Sequence, residues 1–261
     1  MNRAAHERVR LDHALRSALE RAEFELHYQP KIDLASRKVV GCEALLRWRH
    51  PQWGMVSPAE FIPVAEETGM ILQIGAWVMR EAAWQAADWA RKGYPVRVAV
   101  NLSARQFADP ALVQSLVSLL EQHQLPANAL ELEITESTMM DGVANAAQIL
   151  RDIKGMGVSL AIDDFGTGYS SLAYLKTFDI DKLKIDQSFI RDIHSDPDDA
   201  AIVRALVVLS HELGLEVVAE GVEDEAQLNF LQALGCDIAQ GYFFSKPLPA
   251  ADFVAFMRQH P

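Results

Sequence analysis

Seven apolar stretches of this 261-residue chain end in a side chain that can bind a metal or donate a hydrogen bond. In chain order the ends carry Glu43, Asn101, Glu133 with Glu136 just beyond, the pair Asp163 and Asp164, Lys184 with Asp186, Glu220 and Gln240. Gathered in one place, Glu43, Glu133, Asp163, Asp164 and Glu220 would repel strongly at low dielectric, and several would have to stay protonated. Divalent cations remove that difficulty. Hard carboxylate oxygens with one amide oxygen suit Mg²⁺ or Mn²⁺ rather than zinc. Adjacent aspartates in "AIDDFGTGYS" can serve two ions, one carboxylate bridging while its neighbour is splayed toward the second. Two ions about 3.5–4 Å apart are an established arrangement for in-line phosphodiester hydrolysis.

Taken singly, each residue has an ordinary reading. A glutamate at a strand end is usually a solvated loop residue. A DD pair before FG is usually a turn or a helix N-cap. Lys184 reads as a surface lysine, and Asn101 with Ser103 as a cap for the next helix. Seven consecutive strands that all end this way favour a built site.

The elements that would position such a site are legible. Residues 7–22 have helical spacing, and 1–22 form a lead-in helix or linker set apart from a catalytic unit over 23–261. "EFELHYQPKID" alternates like a strand, and "VVGCEALLRW" follows after so short a turn that the two must be antiparallel. "SPAEFIPVAEETG" is a short helix with Pro at its first position, and 71–91 a longer one. Strands are then expected at 96–103, 130–137, 158–165, 181–188, 215–221 and 236–243. Helices are expected near 110–123, 142–156, 170–176, 198–213, 224–234 and 249–259. Alternation of this kind predicts a parallel sheet. Eight strands in this length predict an α/β fold, a (β/α)8 TIM-type barrel with its first strand antiparallel to the rest. An open doubly wound sheet would show a Gly-rich phosphate loop after its first strand, and none is present. Active sites of parallel barrels lie at the C-terminal strand ends, where the polar residues above would converge.

Composition narrows the function classes. A net charge of −12 argues against binding a nucleic-acid duplex by phosphate neutralisation. It leaves room for a small phosphorylated ligand held through metal ions. No apolar run reaches the ~20 residues of a membrane span, and the polar N-terminus lacks a secretory h-region. A cytoplasmic chain, or the cytoplasmic module of a larger one, is expected. Cys42 and Cys236 are expected as buried reduced thiols.

The motifs together are specific. "YQPKIDL", "CEALLRW", "HPQWGMVSPAEFIPVAEETG", "VNLSARQF", "LEITES", "IDDFGTGYSSL", "LKIDQSFI", "VAEGVE" and "AQGYFFSKP" resemble the EAL domain family, bacterial phosphodiesterases of cyclic di-GMP. The resemblance covers about Phe24 to Phe256. It implies two Mg²⁺ or Mn²⁺ ions, with Glu43, Asn101, Glu133 and Asp163 on one and Asp163, Asp164 and Glu220 on the other. It implies Lys184 as the residue that holds or helps deprotonate the attacking water, and Gln240 as one that orients water or a metal-bound group. Arg47 resembles the arginine that grips substrate phosphate; Gln29 and Asp186 fall on the substrate side. Glu136 resembles the anchor of the loop "FGTGYSS", whose Gly166 and Gly168 give it backbone freedom. The implied product is linear pGpG. Implied partners are a homodimer mate, through the helices after the fifth and sixth strands, and an upstream sensor or GGDEF domain. A receptor that binds cyclic di-GMP without turnover is the alternative. A Schiff-base aldolase on Lys184 is disfavoured, because it wants an apolar lysine pocket.

Overall fold

The structure, a computed structural model, describes residues 2–140, 143–166 and 178–260. Helix α1 (Asn2–Ala18) precedes a long hairpin of β1 (Phe24–Asp33) and β2 (Val39–His50), continued by the short β3 (Gly54–Val56). Helices α2 (Pro58–Thr68) and α3 (Ile71–Arg91) lead to β4 (Arg97–Leu102), α4 (Ala104–Phe107) and α5 (Leu112–His123). Next come β5 (Leu130–Thr135), α6 (Glu136–Met140), α7 (Val143–Met156), β6 (Ser159–Phe165), β7 (Lys182–Ile185), α8 (Gln187–Arg191) and α9 (Pro197–Glu212). The chain ends with β8 (Glu216–Ala219), α10 (Glu225–Ala233), β9 (Ile238–Ala239), β10 (Leu248–Pro249) and α11 (Ala250–Gln259).

Eight of these strands close into a ring in the order β1, β9, β8, β7, β6, β5, β4, β2, back to β1. Strand β1 is antiparallel to both of its ring neighbours, β2 and β9, and every other ring contact is parallel. This is the expected TIM-type barrel with a reversed first strand. β3 and β10 add to its margins and are too short to carry an alternation signal in sequence.

Several expected boundaries move. The lead-in helix starts and ends earlier than 7–22, because Ala22 takes a left-handed backbone (φ 54°) that no helix continues through. Glu136 and Ser137 are the first turn of α6 rather than the end of a strand. Asp186 caps α8, accepting from the Ser188 amide at 2.9 Å, so β7 stops at Ile185. The last ring strand is only Ile238–Ala239, which leaves Gln240 to Phe243 outside it. Ser103 does cap α4, in a reciprocal capping box with Gln106. Gly168 and the expected helix at 170–176 lie outside the described residues.

Outside the ring, aromatic packing fixes the hairpin that closes it. Trp48 meets Phe61 edge-on at 5.4 Å, and Tyr28 meets Trp89 edge-on at 4.7 Å. Trp48 also donates its indole N–H to Glu23 at 2.9 Å, satisfying a buried donor. Both cysteines are buried and free, and burial pushes the Cys236 thiol up to about 12.

Candidate active site

The ring interior is not the usual apolar filling. Alternation along each strand sends Glu131 and Glu133 of β5, and Lys182 and Lys184 of β7, to the same inner face. Small residues beside them leave room. Ala99 stands in register between Glu43 and Glu131, and Ala161 between Glu133 and Lys182.

At the C-terminal end of this interior, Lys184 Nζ lies 2.6 Å from Glu133 Oε2, 2.7 Å from Glu220 Oε1, 3.0 Å from Asp163 Oδ2 and 3.8 Å from Glu43 Oε2. Burial alone would discharge such a lysine. The surrounding carboxylates outweigh it and hold the pKa well above its ordinary value. Glu43 is gripped from two sides, by Asn101 Nδ2 on Oε1 and by Gln240 Nε2 on Oε2, each at 2.6 Å. Gln240 also donates to Gln29 Oε1 at 3.0 Å, and its own Oε1 is buried with no hydrogen-bond partner.

The adjacent aspartates are separated by a bulge. Ile162 pairs with Leu183 and Phe165 with Ile185, so Asp163 and Asp164 stand against the single residue Lys184. Asp164 adopts φ 55°, a conformation aspartate tolerates better than most residues. The extra residue breaks the strict alternation that would send the two carboxylates to opposite faces. Oxygens of Asp163, Asp164 and Glu220 consequently lie within 4.8 Å of one another. Asp164 is raised to about 6, by burial first and then by Asp163 and Asp186. Glu220 is raised to about 8, by burial first; Lys184 pulls it down, while Asp163, Glu43 and Glu133 push it up.

This donor set fits divalent metal ions. Its oxygens are hard, they converge from four strands, and burial together with mutual repulsion raises two of the carboxylates' pKa values. A cation relieves that unfavourable charging.

The remaining residues rim the site. Arg47 is half-buried on β2 and donates to the Leu46 carbonyl at 2.9 Å. Gln29 donates to the Ser245 carbonyl at 3.3 Å. Glu136, at the start of α6, accepts from the Gly166 amide at 3.4 Å, and Gly166 needs its φ of 96° for the turn out of β6. Asp186 caps α8, and its charge lies close enough to Asp164 to help raise that carboxyl. A cavity of about 240 Å³ opens beside Glu43, Asp163, Glu220 and Gln240. A larger one, about 470 Å³, lies by Arg97, Lys182 and Asp237 at the opposite end of the barrel, away from the convergent carboxylates.

Sequence reasoning did not single out Gln187, Tyr242, Lys31, Glu131 or Lys182. Gln187 and Tyr242 line the smaller cavity. Lys31, Glu131 and Lys182 are buried charges deeper in the barrel. The signal for these was the spacing: Glu131 with Glu133, and Lys182 with Lys184, are charged pairs at i and i+2 inside apolar strands.

Comparison with known proteins places this geometry. The family model described as EAL domain matches residues 12–247. The bifunctional diguanylate cyclase/cyclic di-GMP phosphodiesterase MucR of Pseudomonas aeruginosa is 50% identical over 256 residues, which are 98% of this chain and 37% of that protein. The cyclic di-GMP phosphodiesterase PdeR of Escherichia coli is 40% identical over 260 residues, 100% of this chain and 39% of that protein. The chain thus spans less than two fifths of the length of these relatives. Among solved structures, the PaMucR phosphodiesterase in complex with c-di-GMP superposes with a TM-score of 0.91 at 50% identity, covering 94% of this chain and 99% of that one. The FimX EAL domain of P. aeruginosa bound to c-di-GMP gives 0.84 at 28% identity, covering 91% and 96%.

Proposed function

Because the chain belongs to the EAL domain family, we propose that it hydrolyses cyclic di-GMP, opening one 3′–5′ phosphodiester to give linear pGpG with two Mg²⁺ or Mn²⁺ ions. The observation that carries this reading is the convergence of Asp163, Asp164 and Glu220 oxygens within 4.8 Å around the Lys184 end of the barrel. Glu43, Asn101, Glu133 and Asp163 would hold one ion; Asp163, Asp164 and Glu220 would hold the other. Bound ions supply Lewis-acid stabilisation of the phosphoryl oxygens and acidify water.

The chain's own residues do the rest. Lys184, charged while the carboxylates lack ions, is the group whose pKa two divalent ions would lower toward the range where it can hold or accept a proton of the attacking water. Water oxygen attacks phosphorus, the bond to the 3′ oxygen breaks, and that oxygen leaves protonated, so one water is consumed per bond. Gln240 fixes Glu43 and presents its unpartnered Oε1 to the water. Arg47, Gln29 and Asp186 would contact the substrate, Arg47 through a phosphate oxygen pair. A cavity of about 240 Å³ takes the scissile phosphodiester. The guanines would rest on the rim, where Tyr242 and Phe243 are 57% and 39% exposed.

Cytoplasmic placement as one module of a longer protein, behind a sensor or GGDEF domain, fits the bifunctional name of MucR. No helix among the described residues is long and apolar enough to cross a membrane. Ile202 and Val208 are exposed on α9 and are the surface we assign to a homodimer.

The test is product chromatography after incubation with cyclic di-GMP and Mg²⁺ or Mn²⁺, with an EDTA control. Metal-dependent pGpG is the expected result. Binding of cyclic di-GMP with no product would overturn the enzymatic reading in favour of a receptor.

A further inference from the structure

Lys31 lies two residues along β1 from Gln29, inside the ring and fully enclosed. Its Nζ is 2.5 Å from Glu133 Oε1 and 2.6 Å from Glu131 Oε1. Strands β1 and β5 are not neighbours in the ring, so these contacts cross the barrel interior. Its register partner on β2 is Gly41, where the close neighbour is backbone rather than the lysine stem. A Cβ there would lie 3.9 Å from Lys31 Cδ and 3.1 Å from the Arg97 carbonyl.

Glu133 is therefore divided between two ammonium groups. Lys31 takes Oε1 from below, and Lys184 takes Oε2 from the site side at 2.6 Å. Glu131 has cations of its own besides Lys31: Lys182 at 3.1 Å and, more loosely, Arg97 at 3.7 Å. The deeper carboxylate thus keeps a counter-charge without Lys31, whereas Oε1 of Glu133 does not.

We propose that Lys31 is a positioning residue of the metal site. It pins Oε1 of Glu133 so that a single oxygen, Oε2, faces the ions. The proposal rests on the two-ion reading above. A carboxylate in a dry interior cannot turn away from a buried ammonium without leaving that charge unpaired, which is strongly unfavourable. Partners of this kind, behind a ligand, orient it and tune metal affinity.

The sign of the effect separates this role from plain electrostatics. A lysine behind a cation site repels the cation, so removing it should tighten metal binding if charge alone matters. Removing a positioning residue should weaken it. A purely structural residue would lower the melting temperature and leave the affinity of the folded protein unchanged.

The experiment measures Mn²⁺ binding to metal-stripped protein by electron paramagnetic resonance of free Mn²⁺, without substrate, alongside thermal melting. The main variant is the charge-balanced Lys31→Met/Glu131→Gln. The control is Glu131→Gln, which disturbs the same interior and keeps the Lys31–Glu133 contact. The double variant should bind its tighter Mn²⁺ about 10–100-fold more weakly than the parent, and the control should match the parent. Equal or tighter binding by the double variant overturns the proposal, as does an equal loss in both variants. If the double variant does not fold, Lys31→Met against Glu131→Gln carries the same comparison. Absence of any Mn²⁺ binding by the parent would remove the two-ion reading itself, a result distinct from the variants' failure to differ.

Discussion

Asp163 and Asp164 are consecutive in the chain, yet the Asp164 amide donates to the Asp163 carboxylate at 2.9 Å and both side chains serve one cluster. The bulge against Lys184 makes this possible. Asp164→Asn keeps a residue type that accepts φ 55° and removes one charged ligand. It should abolish metal-dependent turnover, with pGpG formation falling by about 100-fold or more, while the metal-free protein melts no lower than the parent. Asp163→Ala and Glu43→Ala should likewise abolish turnover, read by the same chromatography.

Lys184 supplies the positive charge at the centre of four carboxylates in the metal-free state. Lys184→Ala should lower the metal-free stability by about 3–5 kcal/mol, the range for breaking a buried ion pair. Added Mn²⁺ should recover much of that loss in a melting experiment. Turnover should fall far more than cyclic di-GMP affinity, which isothermal titration with a non-hydrolysing metal would separate.

Ion binding should depend on pH in a stated direction. Asp164 at about 6 and Glu220 at about 8 are raised above their ordinary carboxylate values. A raised carboxylate contributes stability that is complete below its unfolded pKa and is lost as pH rises through the folded value. From these two groups the metal-free protein loses stability between about pH 4 and pH 8. Ions must displace the same protons, so the melting increment from Mn²⁺ should grow across that window. A Mn²⁺ increment that is flat from pH 5 to pH 9 would contradict the assignment of Asp164 and Glu220 as ligands.

Gly241 follows Gln240, and a Cβ on it would sit 2.1 Å from the Val222 carbonyl oxygen and 2.3 Å from the Val222 nitrogen. Backbone cannot retreat as a flexible side chain can. Gly241→Ala should cost about 1–3 kcal/mol or more. It should also slow turnover by displacing Gln240 from Glu43, visible as a drop in kcat in the protein that remains folded.

Ca²⁺ should occupy the carboxylates and fail to support turnover. It accepts 6–8 ligands in loose geometry, whereas Mg²⁺ demands near-octahedral placement. Melting with Ca²⁺ should show stabilisation, and chromatography should show no pGpG.

The ring was readable from the alternation of strands with helices, and the site from seven strand ends whose chemistry is out of place after an apolar run. Glu43, Asn101, Glu133, Lys184, Glu220 and Gln240 were all found that way, and the structure brings them together. The splay of Asp163 and Asp164 was expected in outcome but not in cause, since a bulge is a property of two paired strands and leaves no mark on one. Lys31 was passed over because "HYQPKID" reads as ordinary alternation when its partner on β5 is 100 residues away. Asp186 was read as the end of a strand because the short helix it caps is too brief to show a period. The contact of Gln29 with the Ser245 carbonyl depends on a loop whose course only packing decides.

The reversed first strand has a consequence for how the molecule is made. β1 pairs with β2, its neighbour in sequence, whereas its other edge pairs with Ile238–Ala239, some 200 residues later. Without those two residues the ring would be open between β1 and β8. In the closed ring Lys31, Glu131 and Glu133 are buried together with their partners. A chain cut short of Ile238 would lack the strand that closes the ring, leaving β1 an unpaired edge beside these buried charges.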